Sequence, residues 1–206
     1  MCENWKKLKE GTGAPALTAA EETRRYDSPL GVITITGEGD ALTGLRFDDR
    51  LLSAEGRDGQ HKGKDLPVFA EAERWLDAYF GGRDPGFLPK MNLRGTSFRL
   101  TIWELLLTVP YGRTVTYGEI ARRAAARLGV PRMSAQAVGG AAGHNPIVLM
   151  IPCHRVIGSD GSLTGYAGGQ ARKAALLELE AGRAAGTRKD PGAAASRFVV
   201  LDRRIY

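Results

Sequence analysis

Two short runs in the N-terminal third of the chain are dominated by β-branched and other apolar residues. They span residues 30–36 and 41–47, and the sequence between them is Gly-Glu-Gly-Asp. Such runs on either side of a glycine-containing turn are typical of an antiparallel hairpin. The pattern therefore predicts two paired strands.

The hydrophobic period changes to that of a helix after residues 48–64, a charged, glycine-containing stretch that we interpret as a loop. Apolar side chains then recur at helical spacing until two glycines at 81–82 end the pattern. They are Val68, Ala72, Trp75, Leu76, Tyr79 and Phe80. Strands followed by one helix predict a small α/β domain, which we assign to residues 24–92, after a polar leader at 1–23.

The rest of the chain is mostly helical in pattern. After a segment at 81–95 that contains Gly, Pro and Asn, a helix is expected to begin at Thr96 or Ser97 and to stop at Pro110. Its apolar face consists of Phe98, Ile102, Leu105, Leu106 and Val109. We place the domain boundary in the segment at 81–95.

Two more short helices, at 116–128 and 134–142, are predicted around a Gly-Val-Pro break at 129–131. Thr116 and Glu119 match a capping box at the start of the first of them. Helices joined by such a turn are typical of a helix-turn-helix, although ordinary α-helical domains contain the same corner. We therefore expect an α/β N-terminal domain, a small antiparallel sheet plus helix, followed by a mostly α C-terminal domain with a winged-helix-like, helix-turn-helix DNA-binding unit.

This C-terminal domain is assigned to residues 93–182. Its last helix is expected at 170–181, ending at Gly182. Residues 183–206 are treated as a C-terminal extension with no assigned function.

Composition narrows the class of protein. The chain has 206 residues and a mass of 22.2 kDa, and its 43% of hydrophobic residues is enough for a packed core. No apolar stretch has membrane-spanning length, and no signal-peptide core is visible near residue 1. Two cysteines and three scattered histidines exclude a disulfide framework and indicate no metal site. We expect a soluble, cytoplasmic protein with no membrane association, no metal and no cofactor.

Charge is distributed unevenly along the chain. There are 12 basic and 16 acidic residues through residue 84, but 17 basic and 7 acidic residues after it. Residues 120–159 contain five arginines and no carboxylate. The five are Arg122, Arg123, Arg127, Arg132 and Arg155. Such an excess can hold a polyanion through phosphate contacts, although a solvated basic surface has the same composition.

Cys153 and His154 follow a five-residue apolar run at 147–151 that is bounded by prolines. The run is short for a helix and predicts a buried extended segment that ends near the cysteine. Because cysteine reacts as the thiolate, an adjacent imidazole and positive charge would lower the pKa of Cys153 and make it a nucleophile. A core cysteine beside a surface histidine is the alternative interpretation.

Two neighbouring features bear on this choice. Glu180, near the end of the last helix, would complete a Cys–His–Glu relay if its carboxylate reached His154, or would simply be exposed to solvent. The small-residue loop at 164–169 would let a flat ligand approach the backbone closely.

The sequence Pro-Cys-His-Arg-Val at 152–156 resembles the active-site motif of the O6-alkylguanine-DNA alkyltransferases, also called methylated-DNA–protein-cysteine methyltransferases. The resemblance runs from Phe98 to Glu180. It includes Val-Thr-Tyr-Gly-Glu-Ile at 115–120, Gln-Ala-Val-Gly-Gly at 136–140, Asn-Pro at 145–146 and Gly-Tyr-Ala-Gly-Gly at 165–169. Residues 24–92 resemble the variable N-terminal domain of the family more loosely.

The resemblance implies DNA repair by a direct, irreversible and stoichiometric transfer. An alkyl group would pass from O6-alkylguanine, with O4-alkylthymine as a second candidate substrate, to Cys153 after base flipping. His154 would take the thiol proton through a water, and Glu180 would orient the imidazole. Asn145 would hold the turn before the active-site segment, and Tyr117 would donate a hydrogen bond to N3 of the guanine.

The same resemblance implies double-stranded DNA bearing alkylated guanine as the partner of a monomeric protein without a cofactor. The carbonyls of Cys153 and Val156 would accept from the exocyclic amine of the guanine, and the loop containing Tyr166 would wall the pocket. The expected substrate- and DNA-contacting residues are Gln136, Ser134, Arg155, Val156, Tyr166, Ala167, Gly168, Arg122, Arg123 and Arg132.

Two features depart from the family pattern. Gln136 stands where many members carry an arginine that enters the base stack, and glutamine lacks the charge and stacking plane of a guanidinium. The cysteines of the zinc site that some relatives carry in the N-terminal domain are absent.

Three other functions compete with alkyl transfer. They are a lesion-binding protein without chemistry, which the intact Cys153 argues against, a cysteine hydrolase, and a helix-turn-helix regulator. For the hydrolase, adjacent side chains on an extended segment would diverge, which favours a water-bridged relay over a direct Cys–His pair. The regulator would account for the arginines but not for a cysteine motif at the end of an apolar run.

Overall fold

The computed structural model describes residues 21–48 and 65–184. Its N-terminal part is an antiparallel sheet of β1 (Glu22–Ser28), β2 (Gly31–Glu38) and β3 (Ala41–Phe47), in that order. The hairpin predicted from the hydrophobic pattern is β2–β3, with Ile35 opposite Leu45. Both side chains are fully buried, so this hairpin forms the inner layer of the N-terminal core.

Strand β1 is not predicted by the sequence pattern, which assigns its first residues to the leader. Its sequence, Glu-Thr-Arg-Arg-Tyr-Asp-Ser, contains no aliphatic residue. It pairs with β2 along its whole length, from Glu22 opposite Gly37 to Ser28 opposite Gly31. Backbone pairing to a buried neighbour, rather than its own apolar face, therefore makes this segment a strand.

Helix α1 (Pro67–Phe80) packs on the sheet and agrees with the predicted helix. Proline at the first helical position suits a site whose N–H has no intrahelical partner. The side chains of Phe69, Leu76 and Tyr79 on its inner face are at most 1% exposed. One helix thus covers the apolar face that the sheet would otherwise leave open.

The C-terminal part contains four helices in the described residues. They are α2 (Ser97–Leu107), α3 (Tyr117–Leu128), α4 (Ala135–Gly143) and α5 (Gln170–Ala184). Side-chain oxygens of Thr96, Thr116 and Ser134 cap the first three by accepting from backbone N–H groups. Helix α3 ends at Gly129, whose φ of 66° requires the left-handed conformation that glycine adopts easily. Helix α5 continues past the predicted end at Gly182.

Helices α3 and α4 form the predicted helix-turn-helix, and α2 packs against both. The indole N–H of Trp103 on α2 donates to the carbonyl of Ala141 on α4 at 2.9 Å. Beside the helices, the short strands β4 (Val115–Thr116) and β5 (Val156–Ile157) pair in parallel. Only one half of the predicted capping box is formed: the Thr116 hydroxyl accepts from the Glu119 N–H, but the Glu119 carboxylate pairs with Arg123.

The two parts share one hydrophobic core. Strand β3 bonds to the segment before the cysteine, through Leu45 N–H to the Pro146 carbonyl at 2.9 Å and Val148 N–H to the Leu45 carbonyl at 3.0 Å. On the other side, the Arg172 guanidinium donates to the Leu30 carbonyl at 2.9 Å. The N-terminal sheet therefore packs against and supports the segment that leads to Cys153.

Residues 147–151 are buried, as expected, but the prediction that they are extended was wrong. Only Ile147 makes a bridge to β3, and the Ile151 N–H then donates back to the Ile147 carbonyl at 3.0 Å. Leu149 adopts a φ of 71°, which a β-strand does not permit. The run has no second strand to pair with, so it satisfies its backbone groups by turning on itself.

No helix in the described ranges is long and apolar enough to span a bilayer. The described side chains also contain no group of three His, Cys, Asp or Glu residues that could hold a metal ion. Most of the polar leader, the loop assigned to 48–64 and the C-terminal extension lie outside the described residues, as do Cys2 and His61.

Candidate active site

Cys153 opens a short 3-10 helix, Cys153–Arg155, and is 3% exposed. The side-chain amide of Asn145 donates to its sulfur at 3.1 Å and to the Ile151 carbonyl at 2.7 Å. The amide oxygen of Asn145 accepts from Ile147 N–H at 3.0 Å. One buried asparagine therefore holds both ends of the turn and the thiol itself.

Burial raises the pKa of the Cys153 thiol to about 11, although the Asn145 hydrogen bond and the Lys173 ammonium oppose this effect. The expectation that neighbouring groups lower this pKa was therefore wrong for the free protein. His154 supplies no positive charge, because burial lowers the imidazole pKa more than Glu180 raises it. At neutral pH the cysteine is a thiol beside a neutral imidazole and needs a base when it reacts.

His154 and Glu180 form a fully buried pair, with imidazole Nε2 2.8 Å from carboxylate Oε1. Solvent exposure of Glu180, the alternative that the sequence left open, is excluded by this burial. Arg155 binds the same carboxylate, with its Nε 2.9 Å from Oε2. Glu180 reaches the site because α5 packs on the 3-10 helix that begins at Cys153.

The Glu180 carboxylate is ionised in this interior. Burial by itself would raise its pKa, but the hydrogen bonds from His154 and Arg155 and the charge of the Arg155 guanidinium outweigh burial and lower the pKa to about 2. The backbone N–H of Gly112 adds a further donor at 2.9 Å. An ionised carboxylate only accepts hydrogen bonds, so the imidazole nitrogen that faces it carries the proton.

Two buried polar atoms near the thiol have no hydrogen-bond partner in the described part of the chain. They are His154 Nδ1 and the Tyr166 hydroxyl. The two rings lie edge to face, 6.3 Å apart, and burial, together with the neighbouring Cys153, raises the pKa of Tyr166 well above its usual value. Buried polar atoms are normally satisfied by protein or by water, so these two atoms are the ones that a substrate group or a bridging water would satisfy.

A second polar cluster lies under the glycine-rich loop. The Tyr117 hydroxyl donates to the Thr164 carbonyl at 2.9 Å, and the fully buried Lys173 ammonium donates to the same carbonyl at 3.0 Å and to the Val156 carbonyl. A Cβ on Gly165 would lie 2.6 Å from the Tyr117 hydroxyl. Glycine is required here so that the loop can approach this tyrosine.

Two buried side chains of the site were not identified as functional from the sequence. Tyr79 on α1 donates to Glu180 at 2.8 Å, and Lys173 on α5 bridges the carbonyls of Val156 and Thr164. Tyr79 was counted as a core residue because its helical spacing is that of the apolar face. Lys173 is a charged residue one helical turn before the buried Leu176, and this place on the inner face of α5 is the signal that the sequence offers.

Two family models match the chain in order. The ribonuclease-like domain of 6-O-methylguanine DNA methyltransferase matches residues 23–87, and the DNA binding domain of the same protein matches residues 97–182. A methylated-DNA–protein-cysteine methyltransferase of Mycobacterium tuberculosis is 47% identical over 161 residues, which cover 78% of this chain and 93% of that protein. The chain belongs to this family.

Solved structures of family members support the same assignment. A crystal structure of Mycobacterium tuberculosis OGT in complex with DNA is 46% identical with a TM-score of 0.65, covering 78% of this chain and 93% of that chain. The O6-methylguanine-DNA methyltransferase from Pyrococcus kodakaraensis is 27% identical with a TM-score of 0.53, covering 78% and 99%. The predicted fold class, a small antiparallel sheet with a helix and then a helical DNA-binding domain, is confirmed.

In this member of the methyltransferase family, the outer sides of α3 and α4 and the turn between them are exposed; we call this surface the helix-turn-helix face. Arg122 and Arg123 lie on α3, Arg132 in the turn, and Ser134 and Gln136 at the start of α4, and all five are exposed. They share one surface, as is expected of residues that contact DNA.

Arg155 does not belong to this face, so its expected place among the DNA-contacting arginines was wrong. Arg155 is 8% exposed. Its guanidinium is bound to Glu180, and its Nη1 donates to the Val109 carbonyl at 2.7 Å. A buried guanidinium that is bound to a carboxylate and a backbone carbonyl is not placed to reach a phosphate outside the protein.

Proposed function

We propose that this chain repairs double-stranded DNA by transferring the alkyl group of O6-alkylguanine to Cys153. The observation that carries the proposal is the buried thiol of Cys153, followed directly in the chain by the buried His154 that pairs with Glu180, with an exposed basic helix-turn-helix face on the same domain. A hydrolase would use the first feature and a regulator the second. Repair of a base inside DNA requires both.

The displacement begins with the thiol proton. A water between Cys153 and His154 passes this proton to Nδ1, the ring nitrogen that has no protein partner in the described residues. The resulting imidazolium is stabilised by the ionised Glu180 carboxylate on the opposite ring nitrogen. The thiolate attacks the alkyl carbon, an S–C bond forms, and the bond from that carbon to guanine O6 breaks.

The leaving guanine takes the electron pair of the broken bond. Tyr117 gives up its hydrogen bond to the Thr164 carbonyl and donates to N3 of the purine, where negative charge develops. The Val156 carbonyl accepts from the exocyclic amine, which selects guanine over adenine, and Lys173 holds that carbonyl in place. The product is a thioether that water does not readily hydrolyse, so one chain repairs one lesion.

The target base must leave the duplex before the thiol can reach it. Flipping costs a few kcal/mol, and phosphate contacts from the exposed arginines of the helix-turn-helix face hold the backbone meanwhile. Tyr166 and the loop through Ala167 and Gly168 form the wall of the pocket that receives the base. The relay is complete within one chain, so the protein acts as a monomer, and its free thiol suits a reducing cytoplasm.

The proposal is tested by incubating the protein with duplex DNA that carries one O6-methylguanine. Transfer predicts that the Cys153 peptide gains the mass of one methyl group, that the DNA regains guanine, and that the reaction stops at one lesion per chain. Binding without a mass change would instead identify a lesion-binding protein. Repeated turnover on one chain would contradict a thioether end point.

A further inference from the structure

Tyr79 brings a hydroxyl from the N-terminal domain into the interior of the active site. It lies on α1, is fully buried, and donates to Glu180 Oε1 at 2.8 Å. The same hydroxyl oxygen is 3.2 Å from His154 Nε2. The helix that covers the N-terminal sheet therefore touches both members of the imidazole–carboxylate pair.

The Tyr79 ring is held firmly in this position. It stacks on Trp75 with ring centroids 5.1 Å apart, and it packs edge to face against Tyr111 and His154 at 5.9 and 6.2 Å. Burial and the Glu180 charge raise the pKa of Tyr79 well above its usual value. The hydroxyl is therefore a permanent donor to the carboxylate over the pH range in which proteins are folded.

Geometry then assigns the imidazole tautomer. With its proton directed at Glu180 Oε1, the Tyr79 oxygen can only accept from His154 Nε2, and the carboxylate can only accept as well. Two acceptors at 2.8 and 3.2 Å demand that Nε2 carries the hydrogen. Nδ1 is then the basic nitrogen, and it is the one without a partner in the described residues.

We propose that Tyr79 is a positioning residue of alkyl transfer: by holding Glu180 Oε1 and His154 Nε2–H together, it keeps His154 Nδ1 free to receive the thiol proton. The inference rests on the proposed function and deepens it. It makes the N-terminal domain a contributor to the relay as well as a support for the fold.

The first test needs no DNA. The chain has three histidines, so ¹⁵N NMR of the full-length protein, with His154→Gln for assignment, resolves the tautomer of each ring. The proposal expects Nε2–H for His154 in the wild type. An Nδ1–H tautomer would overturn it, and this readout does not depend on the repair of any lesion.

The second test compares Tyr79→Phe with Tyr26→Phe in single-turnover transfer from O6-methylguanine duplex DNA. Tyr26 also donates its hydroxyl to a carboxylate, Asp77 on α1 at 2.8 Å, but has no contact with the relay, so its variant removes the same group from the same domain. We expect Tyr79→Phe to react about tenfold more slowly at its pH plateau, because the imidazole of His154 is then less well aligned to receive the thiol proton.

The pH profile separates positioning from simple stability. Without the Tyr79 hydrogen bond, negative charge concentrates on Glu180 Oε1 and favours the imidazolium, so the pKa of His154 rises. The acidic limb of the transfer rate should therefore move to higher pH in Tyr79→Phe and stay in place in Tyr26→Phe. A smaller active fraction with an unchanged rate constant and profile would assign Tyr79 a structural role only and overturn the proposal.

The wild-type protein separates this proposal from the proposed function. If the wild type fails to methylate Cys153, the proposed function is wrong, whatever the variants do. If the wild type transfers the methyl group and Tyr79→Phe matches it in rate and pH profile, only the role of Tyr79 is wrong.

Discussion

The buried surroundings of Cys153, which we call the inner side, and the helix-turn-helix face, which we call the outer side, hold their charges in different ways. Toward the interior, His154, Arg155, Glu180 and Lys173 are all buried, and every charge among them has a hydrogen-bonded partner. Toward the outside, the helix-turn-helix face presents exposed arginines and small residues. The inner side has one geometry that it must keep, whereas the outer side has charges that can adapt to a backbone of any sequence.

This difference separates chemistry from binding. Buried paired charges are costly to disturb, because removal of one partner leaves the other desolvated and alone. Exposed charges contribute small, salt-dependent increments that add up over many contacts. Changes on the inner side should therefore abolish transfer without changing DNA affinity, and changes on the outer side should do the reverse.

The largest effect is expected from removal of the nucleophile. Cys153→Ser should abolish methyl transfer, because a serine hydroxyl in this site is far less nucleophilic than a thiolate. DNA binding, measured by fluorescence anisotropy, should stay nearly unchanged because the helix-turn-helix face is intact. Mass spectrometry of the protein after incubation with O6-methylguanine DNA checks the first point. Residual stoichiometric transfer would mean that another residue is the acceptor.

Glu180→Gln should have the next largest effect on transfer. The substitution removes the charge that stabilises the His154 imidazolium and reverses the need for an Nε2–H tautomer, so we expect transfer to slow by about 100-fold or more. Single-turnover quench-flow measures this rate. Glu178→Gln, an exposed carboxylate on the same helix, is the matched control and should react like the wild type. A Glu180→Gln rate within a few-fold of the wild type would remove Glu180 from the relay.

The same variant should lose stability in a pH-dependent way. The folded-state pKa of Glu180 is about 2, below its ordinary value of 4.5, so its stabilising contribution is complete above about pH 4.5 and is lost as the pH falls toward 2. Urea unfolding at neutral pH should show Glu180→Gln less stable than the wild type by about 3 kcal/mol. The gap should narrow below about pH 4.5 and close near pH 2. A gap that stays constant with pH would mean that lost packing, and not the charge, destabilises the variant.

The sequence predicts more of the outer side than of the inner side. The helix caps at Thr116 and Ser134 and the exposed arginines follow from local spacing, which one helix determines by itself. The inner side depends on contacts between distant segments: Tyr79 and Glu180 meet across 101 residues, and Tyr79 has the spacing of an ordinary core residue. The sequence leaves open whether Glu180 reaches His154, and the resemblance to a known family implies that it does, whereas nothing local marks Tyr79.

The predictions that the structure contradicts failed for the same reason, since they depend on contacts between distant segments. Arg155 and the run at 147–151 were interpreted from local pattern, as a basic surface residue and an extended segment. The structure gives Arg155 a buried carboxylate and leaves the run only one bridge to a strand, at Ile147. The expected drop in the pKa of Cys153 failed similarly, because sequence shows neighbouring charges but not the burial that outweighs them.

On the outer side, the effect of a single arginine should be moderate and depend on salt. Arg122→Ala and Arg132→Ala should each weaken DNA binding at all sequences and reduce the slope of log affinity against log salt by about one. Arg83→Ala, an exposed arginine after α1 in the N-terminal part, is the control and should leave the slope unchanged. Anisotropy titrations across a salt series give these slopes. A salt response that is flat in the wild type would exclude the helix-turn-helix face as the docking surface.

The smallest effect is expected at Gln136, which the proposed function places at the gap that the flipped base leaves in the stack. Its side chain is exposed at the second position of α4, and glutamine can fill the gap in the base stack and hydrogen-bond the orphaned base without adding charge. Gln136→Ala should therefore slow repair only a few-fold, about 1 kcal/mol, which is the net contribution of one hydrogen bond. Gln136→Arg supplies the charge and stacking plane that glutamine lacks, and should bind DNA more tightly with a steeper salt slope. Complete loss of repair in Gln136→Ala would show that base extrusion depends on this one side chain, and the division between an inflexible inner side and an adaptable outer side would then fail at position 136.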